Sequence, residues 1–355
     1  MMNGIPTTFN DGLPSYTVVD GGEPCGPRGI SAVLLSRGGG NRERLYQGLM
    51  RAGFERILSI EERDPDVDLS SWAAAYPFVR FILLNKPLPV GSQINLAAAE
   101  LAALNGGYFF VLRKDCRLEP LSAELIMATV KEAGDLCSVP FMFDKHGTAL
   151  PTQPLVEFSS GILRTRMAVP GGGSWHLFPF EGIGVYNRDL FVRLGGFDNS
   201  ITDEYWQLMD FGLRAHTWGE RIRTIGREVG SGGEGGDDGN RSIIEDTVRI
   251  TRGAVPAKHA LFIGESYRRF YLKNLSPVYR LDAAYLPLRR FPFFLFKSGI
   301  PIPDAWDEFA VARAWVSLNA YRWKCDVHTL IKNWGQNGDK NGIRNGDKNG
   351  GRNAS

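Results

Sequence analysis

The sequence predicts an α/β fold built on a mostly parallel, Rossmann-type central sheet flanked by helices. Three observations predict it. Short apolar runs such as Ile30–Leu35 (ISAVLL) and Tyr108–Leu112 (YFFVL) have the character of strands buried on both faces. Helical patterns separate these runs, the clearest being Gln93 to Leu104, with Ile94, Ala97, Ala98, Leu101 and Leu104 on one side. Strand and helix alternate at lengths that suit right-handed βα crossovers, and in such sheets ligands bind beyond the carboxyl ends of the strands.

Taken in order, residues 1 to 28 are rich in Gly, Pro, Thr and Asp and read as a loose arm. The strand Ile30–Leu35 ends in Ser36-Arg37-Gly-Gly-Gly-Asn41, and a helix follows over Arg42–Arg51, closed by Gly53. That turn lacks both GxGxxG and the GxxxxGK[ST] pattern, so a phosphate cradle and an ordinary tight turn both remain open. Arg56–Ile60 reads as the next strand, stopped by Glu61-Glu62-Arg-Asp64, and Phe78–Leu84 as another. After the helix over 93–104, Gly106-Gly107 leads into Tyr108–Leu112, whose carboxyl end carries Arg113-Lys-Asp115. A helix over Ala123–Glu132 and a strand over Leu136–Met142 continue the alternation. From His146 to Pro179 the pattern is irregular.

Phe180 to Gly219 reads as a glycine-rich segment (Glu181-Gly182-Ile-Gly184), a short helix over Asn187–Leu194, a GGFD turn, and a second helix over about Asp203–Thr217. A short strand follows at Glu220–Ile225. Residues 229–240 form a glycine-rich loop expected to be mobile, and residues 241–333 a helical extension with helices at Ser242–Thr251, Lys258–Asn274 and Asp304–Thr329. Residues 334–355, with a repeated NGDKNG, are expected to be a disordered tail. The body of the fold thus runs from 29 to 228.

Composition narrows the function classes. A net charge of +2, from 41 Lys and Arg against 39 Asp and Glu, argues against a nucleic-acid partner. The four cysteines have no CxxC or zinc-type spacing and read as free thiols of a reducing compartment. There is no signal-peptide pattern and no apolar run long enough to span a bilayer, so a cytoplasmic protein is expected. Pro287–Pro303 is apolar, aromatic and basic. Residues 288–297 within it could touch an anionic membrane or pack as a buried segment.

Several side chains could carry chemistry. Asp115, past a buried strand, could hold a divalent cation bridging two phosphates, or be a surface carboxylate in a turn. Asp203 and Glu204 start a helix, where a general base could sit and where capping is the ordinary role. Asp210 and Arg214, spaced i, i+4, are expected to pair structurally. His259 could be a metal ligand, although a lone helical histidine more often is not. His176 could line an acceptor pocket with Trp175.

The segments ISAVLLSRGG with RILSIEE, QINLAAAELAALNGGYFFVLRKDCRLEP with Asn95 near its start, and GIGVYNRDLFVRLGGFD…MDFGLRAHTWG together resemble a family 2 glycosyltransferase of the GT-A fold. The resemblance covers residues 28 to 226. It implies a nucleoside-diphosphate sugar as donor and a hydroxyl acceptor on a glycan, lipid or protein. It implies a divalent manganese or magnesium ion as cofactor and inversion at the anomeric carbon. It places Ser36, Arg37 and Glu61 or Glu62 near the base and ribose, and Asn95, Arg113 and Asp115 around the diphosphate. Gly182 and Gly184 would lie on the acceptor side. The family's D-x-D falls on Arg113-Lys114-Asp115, with arginine for the first acid, and its E-D-x-D on Gln207-Leu208-Met209-Asp210. The arginine could replace part of a metal's charge or mark weakened metal binding. Leu208 stands where the base is usual, and Glu204, one turn or about 6 Å earlier, or Asp203 could substitute. A catalytically silent nucleotide-sugar binder on the same fold is the alternative these departures imply.

Overall fold

The computed structural model of the protein describes residues 15–19, 24, 29–36, 42–63, 69–103, 107–118, 122–144, 146–159, 162–225, 250–251, 264–331 and 334. In the first half the elements are β1 (Tyr16–Val19), β2 (Ile30–Leu35), α1 (Arg42–Arg51), β3 (Ile57–Glu62), α2 (Leu69–Ala75) and β4 (Val79–Leu84). They continue with α3 (Val90–Ala103), β5 (Tyr108–Arg113), β6 (Arg117–Leu118), α4 (Ala123–Ala133) and β7 (Cys137–Val139). Then come β8 (Met142–Phe143), β9 (Gln153–Ser159), β10 (Ile162–Ala168), β11 (Gly184–Asn187), α5 (Arg188–Leu194), α6 (Glu204–Thr217), β12 (Ile222–Thr224) and β13 (Ile250–Thr251). The C-terminal part holds α7 (Glu265–Phe270), a π-helical turn at Tyr271–Leu275, β14 (Val278–Arg280), β15 (Ala283–Tyr285), a 3-10 turn at Leu288–Arg290, α8 (Phe291–Ser298) and α9 (Ile302–Asn319).

The central sheet has eight strands in the order β1-β4-β3-β2-β5-β11-β7-β12. β4, β3, β2 and β5 are mutually parallel, as the buried apolar runs predict. Alternate side chains of β2 enter opposite layers. Ile30, Ala32 and Leu34 pack with Leu45, Tyr46 and Leu49 of α1 and with Ile126 and Val130 of α4. Val33 and Leu35 pack with Ile94, Ala97 and Leu101 of α3, and that layer continues through α6 into the C-terminal helices. α6 is buried at every position from Tyr205 to Thr217. Gly212 lies in its interior because a Cβ there would come 2.1 Å from the carbonyl oxygen of Leu177.

Several expectations are corrected. Tyr16–Val19, placed in a loose arm, pairs antiparallel with β4 as an edge strand. The segment after His146, read as irregular, contains the hairpin of β9 and β10. The glycine-rich segment does not run straight into a helix. Gly184–Asn187 is instead a strand, inserted antiparallel between β5 and β7. The strand expected over Leu136–Met142 splits into β7 and β8, which join different sheets. The last long helix ends at Asn319 rather than Thr329. Trp334, set at the head of the tail, is buried and packs edge-on against His216, ring centroids 4.7 Å apart. The glycine-rich loop over 229–240 and the tail from Gly335 lie outside the described residues.

Candidate functional site at the strand ends

The carboxyl ends of β3, β2 and β5 lie side by side, and neighbouring strands are spaced about 4.8 Å. Glu62, Ser36 and Arg113 therefore form a row about 10 Å long at the edge of the sheet. Ser36 is fixed by Gln93 of α3. Its backbone N–H donates to Gln93 Oε1 at 2.9 Å, and Gln93 Nε2 donates to Ser36 Oγ at 3.0 Å. Ser36 Oγ donates in turn to Glu62 Oε1 at 2.9 Å, on an exposed rim.

Glu61 and Glu62 part company because successive strand side chains point to opposite faces. Glu61 is 3% exposed, 2.7 Å from Lys114 Nζ and 3.3 Å from Arg42 Nη1. Its other oxygen accepts from Ser59 Oγ at 2.7 Å. Lys114 is buried as well, and its ammonium donates to the Ile60 carbonyl oxygen at 2.7 Å. Burial pushes the Lys114 ammonium down from its ordinary value while the Glu61 carboxylate pulls the other way. Lys114 and Arg42 are site-supporting residues that sequence reasoning missed. Lys114 sits in the middle of the D-x-D-like triplet, and its alternation with Arg113 and Asp115 was the available signal.

Arg113, the last residue of β5, meets two carboxylates. Its Nε lies 3.3 Å from Asp115 Oδ1, and its Nη1 donates to Glu181 Oε2 at 2.8 Å. Glu181 has φ 51° and ψ 26°, a left-handed conformation that costs a non-glycine residue about 1 to 3 kcal/mol. Strain of that kind collects at functional sites, and here it aims a carboxylate at the guanidinium. Glu181 was visible in the sequence only as the acid opening a glycine-rich segment.

A divalent cation does not fit this cluster. Asp115 and Glu181 both face the guanidinium, which a metal ion would have to displace. Among the described residues no three His, Cys, Asp or Glu side chains stand together as a ligand set. His259 and Arg37 lie outside the described residues.

The remaining candidates have structural partners. The Asn95 side chain accepts from the Phe197 backbone N–H and donates to the Phe197 carbonyl, both at 2.8 Å, and it also donates to Asn199. It therefore clamps the GGFD turn rather than facing the strand ends. Gly182 and Gly184 approach protein, not open space: a Cβ would come 2.7 Å from Ile94 Cδ1 at the first and 2.5 Å from Cys137 Sγ at the second. Asp203 caps α6 by accepting from the Trp206 N–H at 3.1 Å, and its own N–H donates to Ser266 Oγ of α7. Glu204 follows in the first turn, half-buried. Leu208 is buried, and Gln207 is spent on the Gly91 N–H and the Asp198 carbonyl.

Asp210 accepts from Arg214 Nε at 2.8 Å and from Asn274 Nδ2 at 2.8 Å, and Lys273 Nζ is 3.5 Å away. Arg214 also donates to the Leu194 and Gly196 carbonyls. Lys273 donates to Asp198 as well. Burial alone would raise the Asp198 carboxyl, but Lys273 and Ser200 outweigh it and hold it below the usual carboxylate range. The GGFD turn and α6 are thus locked to the C-terminal part through the π-helical turn.

His176 does not line a pocket. It is fully buried, with Nε2 2.7 Å from Thr224 Oγ1, and His216 Nε2 donates to the His176 carbonyl at 2.8 Å. Burial pushes the His176 ring down to about 3 and the His216 ring down to about 4. Both rings are neutral in the fold, whereas in the unfolded chain they bind protons below about pH 6.5. Stability is therefore intact above pH 6.5 and is lost between there and pH 4, by about 1.4 kcal/mol per pH unit for each ring. We expect urea titrations of a His176→Asn/His216→Gln variant to show a flatter stability profile than the parent over this window. Equal slopes would contradict the assignment.

No protein-family model matches the chain, and no curated protein matches it in sequence. Solved structures do. The fold is similar to that of GalNAc-T7, crystallised with UDP, GalNAc and Mn2+, at 11% identity and a TM-score of 0.50, over 83% of this chain and 55% of that one. It is also similar to residues 1–349 of TarS from S. aureus, at 10% identity and a TM-score of 0.39, over 80% and 70% of the two chains. Another S. aureus TarS structure matches at 12% identity and a TM-score of 0.41, over 83% of this chain and 54% of that one. The chain spans about half the length of the GalNAc-T7 chain. The likeness to GalNAc-T7 is one of fold: the mostly parallel eight-stranded sheet with flanking helices and a helical C-terminal part is a GT-A fold.

Proposed function

We propose that this chain binds a nucleoside-diphosphate sugar across the ends of β3, β2 and β5 and transfers the sugar to a hydroxyl acceptor with inversion. The observation that carries the reading is Arg113, a fixed cation at the end of a central strand, held between Asp115 and Glu181. The base and ribose lie toward Ser36 and Glu62. Glu62 takes this place rather than Glu61, because the Glu61 carboxylate is buried against Lys114 and Arg42. A guanidinium offers a planar fork of donors to phosphate oxygens. It meets the charge that develops on the diphosphate as the anomeric C–O bond breaks, where a divalent cation would otherwise act.

On the acceptor side, Glu204 removes the proton of the attacking hydroxyl, with Asp203 as its substitute. The hydroxyl oxygen forms the new bond to the anomeric carbon, and the diphosphate leaves with the electron pair of the old one. Exchanging Glu204→Gln is expected to lower turnover by about 100-fold or more at unchanged nucleotide affinity. Unchanged turnover in both Glu204→Gln and Asp203→Asn would remove the base assignment.

A second reading, a nucleotide-sugar binder without catalysis, is favoured by one observation. The interior of α6 offers no free acid, because Asp210 is bound to Arg214 and Asn274 and Leu208 is apolar. Nucleotide binding by the parent chain with neither transfer nor donor hydrolysis would select it.

A further inference from the structure

The apolar, aromatic and basic segment at 288–297 is not buried packing. α8 turns Phe291, Phe294, Leu295 and Ser298 toward α9 and the core, and presents Pro292, Phe293, Phe296 and Lys297 outward. Phe296 is 88% exposed, Leu288 just before the helix 51%, and Phe293 45%. Trp306 of α9, 46% exposed, extends the surface, its ring 5.1 Å from that of Phe291. Aromatic side chains this open on neighbouring helices form a patch that soluble proteins rarely leave without a partner.

The charge around the patch indicates which partner. Residues 288–303 carry Arg289, Arg290 and Lys297 and contain no Asp or Glu, and acids begin only on α9, where exposed Asp304 and Asp307 flank Trp306. Both arginines are exposed, and the Lys297 ammonium lies over the Phe293 ring, 4.8 Å from its centroid. A second copy of the chain, docked through the same α8 face about a two-fold axis, would set one cationic patch against an identical one. An anionic bilayer surface meets both features, with phosphates for the cations and an interfacial zone for the rings. No helix among the described residues is long and apolar enough to cross a membrane. α8, of eight residues, is about 12 Å long and suits only a position in the interface plane.

We propose that the α8–α9 corner docks this protein on an anionic lipid surface. Leu288, Phe293 and Phe296 enter the headgroup zone, and Arg289, Arg290 and Lys297 contact lipid phosphates. The inference is independent of the strand-end site.

Vesicle co-sedimentation of the full chain tests it, with phosphatidylglycerol/phosphatidylcholine vesicles against pure phosphatidylcholine, at low and high salt. Binding to the anionic vesicles alone, weakened by salt, is expected. Arg289→Gln/Arg290→Gln is expected to weaken it about 30-fold. Phe293→Ser/Phe296→Ser is expected to abolish it. Both variants alter exposed positions, and unchanged thermal unfolding verifies their fold. Absence of binding to anionic vesicles, or binding that neither variant changes, would overturn the proposal. So would a dimer in light scattering that Phe293→Ser/Phe296→Ser converts to monomer without any vesicle binding, because a second copy would then cover the face.

Discussion

Replacing Arg113 with methionine is expected to weaken nucleoside-diphosphate binding by about 30- to 100-fold, or about 2 to 3 kcal/mol, the size of a charge-assisted contact to phosphate. The effect follows from the position of the side chain. Arg113 ends a central strand, and its guanidinium is held by Asp115 and Glu181 before any ligand arrives. A donor therefore meets a cation whose side chain is already ordered, which spares part of the entropy of binding. The substitution also leaves two carboxylates without their shared partner, and their charge then repels the diphosphate. Arg113→Lys is expected to recover only part of the loss, because an ammonium cannot reproduce the fork that spans two groups. Calorimetric titration of the three proteins against the same nucleotide measures this. Equal affinities in parent and Arg113→Met would place the diphosphate elsewhere.

Asp210→Ala is expected to destabilise the fold by about 3 to 5 kcal/mol, a large share of the roughly 5 to 15 kcal/mol that holds a domain together. Asp210 and Arg214 are both fully buried, and the carboxylate also serves Asn274 and lies 3.5 Å from Lys273. Deleting it takes the counter-charge from the buried Arg214 guanidinium, while Lys273 keeps its contact with Asp198, and that desolvated positive charge is the source of the cost. It also loosens the contact between α6 and the π-helical turn that carries Lys273 and Asn274. Asp210→Asn, which keeps the shape and an acceptor oxygen, is expected to cost less. Urea unfolding midpoints distinguish the cases, and a change below about 1 kcal/mol in Asp210→Ala would contradict the network described above.

The parallel half of the sheet was legible in the sequence because its signal is local. Ile30–Leu35 and Tyr108–Leu112 are largely buried on both faces, so each reads as a nearly continuous apolar run. The Asp210–Arg214 pair was legible for the same reason, since i, i+4 spacing alone brings the side chains together. β11 was not legible. Gly184–Asn187 is short, and it becomes a strand only because β5 and β7 leave a gap between them. The glycines flanking it looked like a ligand loop, but they answer to the side chains of Ile94 and Cys137. The site divided along the same line. Asp115 was singled out from its place after a strand, and Arg113 from the resemblance that sets it at the first acid of the D-x-D. The contact of Arg113 with Glu181 joins residues 68 apart, and that of Asp198 with Lys273 joins residues 75 apart. Pairs of that separation are set by topology and leave no mark in spacing. Glu61 and Glu62 could be separated only when pleat and burial were known.

The central claim is that the ends of β3, β2 and β5 hold a nucleoside diphosphate with Arg113 as the cation. Calorimetric titration of the full chain with uridine diphosphate and guanosine diphosphate, first in EDTA and then with manganese, tests it most directly. Saturable binding of at least one nucleotide in EDTA, changed less than about threefold by manganese, is the result the Arg113 cluster predicts. Failure of both nucleotides to bind, or binding that appears only with manganese, would contradict it.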